Sequence, residues 1–585
     1  MSAAHLQALR EALAQQGVAG FLVPRADEHL GEYVPAGAER LAWLTGFTGS
    51  AGLAIVLAET AAVFTDGRYT LQLAQQTDAA LWERRHIQEE PPPTWLAAHA
   101  APGARIGYDP WLMSEEAVER YAEAGLTLIP VANPIDALWQ YRPPPPLGAA
   151  EPHPLEYAGV GSAEKRAQIG AALHEAGAEV AVLSDPASIA WLLNIRGTDL
   201  PHTPYALGFA LIEADGRTEL FMAGEKLPPA TRAWLGNAVA LREPAELADA
   251  LAALGGRRVR VDRAGTPAWF AQTLRQAGAQ VIAGADPCLL PKACKNLTEQ
   301  QGARAAQARD AVAVCRFLHL LHATAAEGLT ECSAAHRLLG LRREVAGFRD
   351  ESFPAISGAG EHGAVIHYRA TPQSDREIRR NELYLIDSGA QYQDGTTDVT
   401  RTVWTGPGEP SDEIRDRYTR VLKGHIAIAT LVFPAGLAGP HLDAFARRAL
   451  WQEGLDYDHG TGHGVGSYLG VHEGPAGLSR TARPIPLAAG MILSDEPGFY
   501  LPGSYGIRLE NLLLVGPAGF AAARPFLRFE TLTLAPFERR LILPALLSEE
   551  ERAWVDAYHA RVAAEIGPGL GDSERAWLDW ACAKL

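Results

Sequence analysis

Cysteine is scarce in this chain, and its few copies form no pattern. Five occur in 585 residues, at Cys288, Cys294, Cys315, Cys332 and Cys582, with no C-x-x-C pair among them. That argues against a zinc knuckle or a redox dithiol, and the odd number argues against a full disulfide framework. A reducing compartment is the expectation. Long apolar runs are missing as well: no window approaches the ~18 uninterrupted apolar residues of a membrane span. The opening HLQALREALAQQG carries Arg10 and Glu11 inside it and has no apolar core of signal-peptide type. Positive charge is in deficit, with 52 Lys and Arg against 69 Asp and Glu, a net charge of -17, and no basic run. Such a chain repels phosphate backbones and anionic lipid, so neither nucleic acid nor membrane is expected as a partner. What is present is the balance of a folded chain, 47% hydrophobic and 21% charged. Its length suggests several domains of ~150 residues each.

The clearest boundary is the tetraproline Pro143 to Pro146, followed by a polar stretch to about His153. Four prolines cannot continue a helix and favour an extended spacer. One order of signals stands on both sides of it. Before it come a helix with Leu6, Leu9 and Leu13 on one face, Phe21 to Val23, Ala42-Trp43-Leu44, a strand Leu53 to Leu57, then Val63-Phe64 and a turn at Asp66-Gly67. After it come a helix ending near Gly177, Val180 to Leu183, Ala190-Trp191-Leu192, a strand Phe209 to Ile212, a turn at Asp215-Gly216, and Leu220 to Met222. Two copies of one α/β unit are expected. A second boundary falls near Lys295. There Thr298-x-x-Gln301 reads as a capping box, and Val314, Phe317, Leu318 and Leu321 follow at helical spacing. The expected domains are residues 1–155, 156–297 and 298–585. The last is rich in strands and ends in a helical tail from Ser548, with Trp554, Tyr558 and Trp580 as packing residues.

Residues with chemistry cluster between 362 and 511. NELYLIDSGAQYQDGTTDVTRTVW carries Asp387 and Asp398, with a hairpin signal at Asp394-Gly395. A two-residue loop there sets Asp398 opposite Gln391, on the face of Asp387 but ~13 Å along the strand. A bulge or a longer loop has to close that gap if both serve one site. HGTGHGVGSYLGVHEG carries His459, His463 and His472. Its glycines disfavour a helix by ~1 kcal/mol each, so an extended strand is expected, its backbone free to approach a ligand. MILSDEPGFY holds Glu496 and YGIRLENLLLV holds Glu510, with Arg508 on the same strand face as Glu510. For Glu510 a salt bridge to Arg508 and a ligand role both stand. Together Asp387, Asp398, His463, Glu496 and Glu510 make four carboxylates and one imidazole, which would repel without cations. Oxygen-rich ligation suits hard divalent ions, Mn²⁺ above thiolate-loving metals, and the count is enough for two ions sharing bridging carboxylates. Met491, Phe499, Tyr500 and Tyr468 are candidates equally for a substrate wall and for core.

DSGAQYQDGTTDVTRT, HGTGHGVG, His472-Glu473-Gly474, DEPGFY and GIRLEN, with VIHYR around His367 and WLTGFTGSAG and FTDGRY near the start, together resemble the X-prolyl aminopeptidases (aminopeptidase P) among the M24B metallopeptidases. Order and spacing match over essentially the whole chain. The resemblance implies two creatinase-type N-terminal α/β domains followed by an α+β "pita-bread" catalytic domain. It implies two divalent ions, Mn²⁺ first with Co²⁺ or Zn²⁺ as other candidates. Asp387 would hold one ion, Asp398 and Glu510 would bridge both, and His463 and Glu496 would complete the set. Glu496 would also be the general base. His367, His459 and His472 would hold the scissile carbonyl and pass protons, against the plain alternative of packing histidines. Arg508 would neutralise a ligand carboxylate. His319, His322, His425 and His441 are expected to pack. The implied substrates are peptides with proline second, and the implied setting is a cytoplasmic homodimer. A prolidase restricted to dipeptides is the nearest competing reading. An inert peptide-binding relative is the other, and the full ligand set argues against it.

Overall fold

Leu6, Leu9 and Leu13 are buried along a helix α1 (Ser2–Gln16), which stops before Gly17 at φ 66°. The structure is a computed structural model describing residues 2–324 and 326–585. After α1 come β1 (Gly20–Pro24), β2 (Leu53–Leu57), β3 (Ala61–Thr65), β4 (Glu83–His86), β5 (Arg105–Tyr108) and β6 (Thr127–Pro130), in one sheet of order β4-β3-β2-β1-β5-β6. Beyond the tetraproline come β7 (Val180–Leu183), β8 (Phe209–Glu213), β9 (Thr218–Phe221), β10 (Val239–Arg242), β11 (Arg258–Val261) and β12 (Gln280–Ala283), in the order β10-β9-β8-β7-β11-β12. Directions match pair for pair. The three central strands pair antiparallel and the outer pairs are parallel in both sheets. The repeated order of signals is therefore a repeated topology.

The chain gathers into two compact units, Met1–Pro154 with Val160–Leu289, and Leu155–Gly159 with Leu290–Leu585. Both sheets belong to the first unit. Within it Gln272 Nε2 donates to Tyr108 Oη at 2.7 Å and the Ala268 amide to Met113 O at 2.8 Å.

The second unit opens on the long helix α2 (Leu297–Thr324), which buries Val314, Phe317, Leu318 and Leu321. Its cap is not the expected Thr298-x-x-Gln301. Asn296 Oδ1 accepts from the amides of Thr298 (2.9 Å) and Glu299 (3.1 Å), and Glu299 Oε2 accepts from the Asn296 amide (2.9 Å). The box is thus Asn296-x-x-Glu299, two residues earlier. Next, β13 (Ile356–Ala359), β14 (Leu383–Ser388) and β17 (Val399–Trp404) form a sheet with β14 central, and β15 (Ala390–Tyr392) pairs with β16 (Gly395–Thr396). A larger antiparallel sheet has the order β18 (Val432–Pro434), β25 (Phe526–Thr531), β24 (Asn511–Pro517), β21 (Ile492–Asp495), β19 (Gly462–Gly464), β20 (Glu473–Leu478). A hairpin of β22 (Gly498–Leu501) and β23 (Tyr505–Arg508) lies between β21 and β24 in sequence. Helices α3 (Asp412–Ala429), α4 (Asp443–Trp451), α5 (Glu549–Ile566) and α6 (Asp572–Ala581) complete this α+β half. Its main core joins Tyr418 and Leu422 of α3, Ile507 of β23 and Val555, Tyr558 and Val562 of α5. In the expected helical tail Tyr558 is buried and Trp554 packs at the core edge, whereas Trp580 is 38% exposed.

The hairpin register differs from the expectation. Asp387 lies opposite Thr400, and Gln391 opposite Thr396, not opposite Asp398. The turn sits at Gln393-Asp394, one residue early. The same register puts Asp398 across from Gly389, two residues from Asp387 instead of four. At Gly389 the strands nearly touch: a Cβ there would lie 2.1 Å from Thr397 O, so only glycine fits. The distance left open by the sequence is closed by register, with no need for a long loop.

Candidate metal centre

Five strand ends of the second unit supply the acidic and imidazole groups. Asp387 is near the end of β14 and Asp398 just before β17. His463 is central in β19, Glu496 follows β21, and Glu510 precedes β24. Single ligand atoms of Asp398, His463 and Glu510 all lie within 4.8 Å of one another. His463 Nε2 is 3.5 Å from Asp398 Oδ2 and 3.4 Å from Glu496 Oε1. Neighbouring donors fix one oxygen on three of the carboxylates. Arg508 Nη2 donates to Asp387 Oδ2 (2.7 Å), Thr400 Oγ1 to Glu510 Oε2 (2.8 Å) and Ser494 Oγ to Glu496 Oε1 (3.1 Å). The Glu496 amide is anchored on Thr461 O at 2.7 Å.

What is left over decides the chemistry. Asp387 Oδ1, Asp398 Oδ1 and Glu510 Oε1 are buried and accept no hydrogen bond. Such groups are costly unless a proton or a cation meets them. His463 Nδ1 lies 2.9 Å from Gly464 O, which assigns its proton there and turns the Nε2 lone pair towards two carboxylates. Burial pushes Asp398 well above the usual carboxylate range, and the charges of Glu510, Asp387 and Glu496 add to it. Glu510 is raised by burial and then by Glu496 and Asp387. Burial takes Glu496 up to about 7, with Arg508 opposing and Asp387 adding. The donor set and its open oxygens fit hard divalent cations.

A second layer orients this set. Arg508, almost fully buried, donates through Nη1 to Tyr500 Oη (2.8 Å) while Nη2 holds Asp387. Tyr500 Oη is 2.9 Å from His459 Nε2, and His459 Nδ1 is 2.8 Å from Gly460 O. With Arg508 donating to Oη, the tyrosine proton points to His459. His472 meets the His463 ring edge to face, with centroids 4.2 Å apart. His367 lies in the turn after the short 3-10 helix Gly360–Ala364. That helix lies flat on β23, where a Cβ on Gly506 would fall 1.7 Å from Gly363 O.

Several expectations need correcting. Arg508 pairs with Asp387, not with Glu510, whose partner is Thr400. Met491 and Phe499 are core residues, and Tyr500 is a hydrogen-bonding member of the site's support. The glycines around His463 serve packing between strands: a Cβ on Gly462 would fall 1.9 Å from Ser494 O. His319 and His322 lie against Trp577, and His441 bonds its own turn at Ala438, as expected for packing residues. His425 is fully buried, with Nδ1 3.0 Å from Asp495 O and 3.1 Å from Asp495 Oδ2. Sequence reasoning missed Thr400, Ser494 and Asp495. Thr400 had a usable signal, since it shares a strand face with Asp398.

Residues 301–517 match the metallopeptidase family M24, residues 5–138 and 141–299 match creatinase/prolidase N-terminal domains, and residues 525–585 match the C-terminal region of peptidase M24. Aminopeptidase P2 of Arabidopsis thaliana is 37% identical over 626 residues, spanning 98% of this chain and 87% of that protein. The crystal structure of X-prolyl aminopeptidase from Caenorhabditis elegans, described as a cytosolic enzyme with a di-nuclear active site, superposes with a TM-score of 0.94 at 33% identity, covering 100% of both chains. Xaa-Pro dipeptidase from Bacillus anthracis reaches a TM-score of 0.52 at 24% identity over 65% of this chain, a likeness of fold alone.

Proposed function

Because the chain belongs to the aminopeptidase P family of M24 metallopeptidases, we propose that it hydrolyses the peptide bond between an N-terminal residue and a following proline, and that Asp387, Asp398, His463, Glu496 and Glu510 hold two divalent ions for that reaction. The observation that carries the assignment is the set of three buried carboxylate oxygens that accept no hydrogen bond. Bound ions would supply Lewis acidity and bring the pKa of water down towards ~7. Asp398 and Glu510 would hold the ions through their open oxygens. Asp387 presents one oxygen to the centre while Arg508 holds the other.

Glu496 takes the proton of the attacking water. Its carboxylate is oriented by Ser494 and lies 3.4 Å from His463 Nε2, beside the proposed ions, within reach of a water held there. The leaving proline nitrogen needs a proton, because the amine departs poorly as an anion. His367, His459 and His472 hold the carbonyl oxygen and deliver that proton. Tyr500 sets the angle of His459. Mn²⁺ is the first candidate ion on the oxygen-rich donor set, ahead of Co²⁺ and Zn²⁺. A cytosolic setting is supported by the few, unpatterned cysteines and by the description of the C. elegans neighbour. Among the described residues no helix is long and apolar enough to cross a membrane. Homodimerisation belongs to the same proposal and rests on the family resemblance, to be read by sedimentation.

The test pairs metal analysis with two substrates. A tripeptide with proline second should release its first residue, lose turnover in chelator and regain it best with Mn²⁺. Cleavage of X-Pro dipeptides alone would make the protein a prolidase. No cleavage by metal-loaded protein would make it a binding relative.

A further inference from the structure

Beside His472 lies a buried cluster of three charges with no part in the chemistry above. Glu473 Oε2 accepts from Lys292 Nζ at 3.0 Å, and Oε1 accepts from Lys295 Nζ. All three side chains are at most 3% exposed. Burial opposes ionisation of Glu473, and the two lysines override it and hold its carboxyl below the usual range. For stability alone this is a poor arrangement, because each buried ion is costly and an apolar substitute would serve as well or better.

The backbone shows what the cluster fixes. In the β19–β20 ladder His463 is opposite Gly477, yet the next residue, Gly464, is opposite Glu473. The ladder skips residues 474–476, and residues 465–472 just before have no regular structure. Ladder pairing therefore begins only at Glu473, and His472 just before it lies outside any strand. At that point the strands are pressed together: a Cβ on Gly464 would lie 2.1 Å from Glu473 O. The lysines are firm anchors. The Lys295 amide donates to Gly490 O at 2.9 Å, and Gln300 Nε2 donates to Lys295 O at 2.7 Å. Two donors, one on each oxygen, also stop the carboxylate from rotating.

We propose that Lys292 and Lys295 are positioning residues for His472, acting through Glu473: they clamp the strand end that sets His472 against His463. The inference rests on the proposed reaction and on His472 touching substrate in it.

The experiment uses full-length, metal-loaded protein with Lys292→Met and Lys295→Met made singly. Either change leaves Glu473 one lysine partner, so the fold and both ions should be kept. Turnover should nevertheless fall about 10-fold or more with KM unchanged, as expected when a reacting group is misplaced by a fraction of an ångström. Glu473→Gln, which removes the carboxylate that both lysines bond, should instead lower the melting temperature. Wild-type kcat per metal-loaded molecule in both lysine variants would overturn the inference. So would loss of fold or of metal in both, which would make the cluster structural. If wild-type protein fails to cleave the proline-second tripeptide, the proposed reaction fails and this inference falls with it; active wild-type protein beside fully active variants sinks the clamp alone.

Discussion

Glu496 and His367 test the proposed reaction from opposite ends. Glu496 has the surroundings expected of a base: a serine holding one oxygen and His463 Nε2 at 3.4 Å. Glu496→Gln keeps its shape and removes the base. Turnover should fall by about 10²–10⁴-fold, and near-normal kcat with both ions bound would end the assignment. His367 sits between buried Ile366 and Tyr368, where a packing histidine would also sit. If it stabilises the transition state, His367→Ala should lose ~10²–10³-fold in kcat with KM, metal content and melting temperature unchanged. A lowered melting temperature with full kcat per folded molecule would return it to packing. The sequence made the charged and imidazole members of the centre legible because their residue types carry chemistry wherever they stand. It hid Ser494 and the supporting roles of Tyr500 and Thr400. A tyrosine, a threonine and a serine in apolar strands look like ordinary strand residues until their hydroxyl partners are known.

At the scale of strands, close backbone contact governs where His463 can lie. Gly462 is the tightest contact on β19, with Ser494 O where a Cβ would go. Gly462→Ala should push β19 off β21, lower the melting temperature by an amount corresponding to ~1–3 kcal/mol and weaken metal binding. Gly516→Ala on β24 is the control, since nothing lies within 4 Å of that Cβ. Equal behaviour of the two variants would remove the packing argument. Strand existence was largely readable from apolar runs and turn residues, and Val180–Leu183 falls where it was expected. Register was not, because Asp394-Gly395 names a turn without saying which pair of residues sits at its tip. The helix cap was missed for a similar reason: Asn296 and Glu299 make as good a box as Thr298 and Gln301, and only the amide directions separate them.

For the whole molecule, the metal-free charge cluster makes stability depend on pH. Asp398, Glu496 and Glu510 all have folded pKa values raised above their unfolded ones. Metal-free folded protein therefore binds more protons than unfolded protein, and its stability falls as pH rises from 4.5 through about 7. Bound cations remove that penalty. The gap in melting temperature between metal-loaded and chelated protein should widen over this window. Buried neutral histidines such as His425 and His559, pushed down to about 3 and about 4, act in both forms and cancel in the difference. A gap independent of pH would show that the carboxylates do not share one centre. The duplication of the N-terminal half was legible at this scale, since the order of helix, strand and turn signals survives where residue identity does not.

The five residues Leu155–Gly159 count with the catalytic unit although the chain on both sides of them belongs to the other. Their carbonyl at Ala158 accepts from Asn296 Nδ2 at 2.9 Å, the same asparagine whose Oδ1 starts the long helix α2. The polypeptide is laced between its two units, not strung from one to the next. A catalytic fragment begun at residue 298 would lose both that five-residue segment and the helix cap.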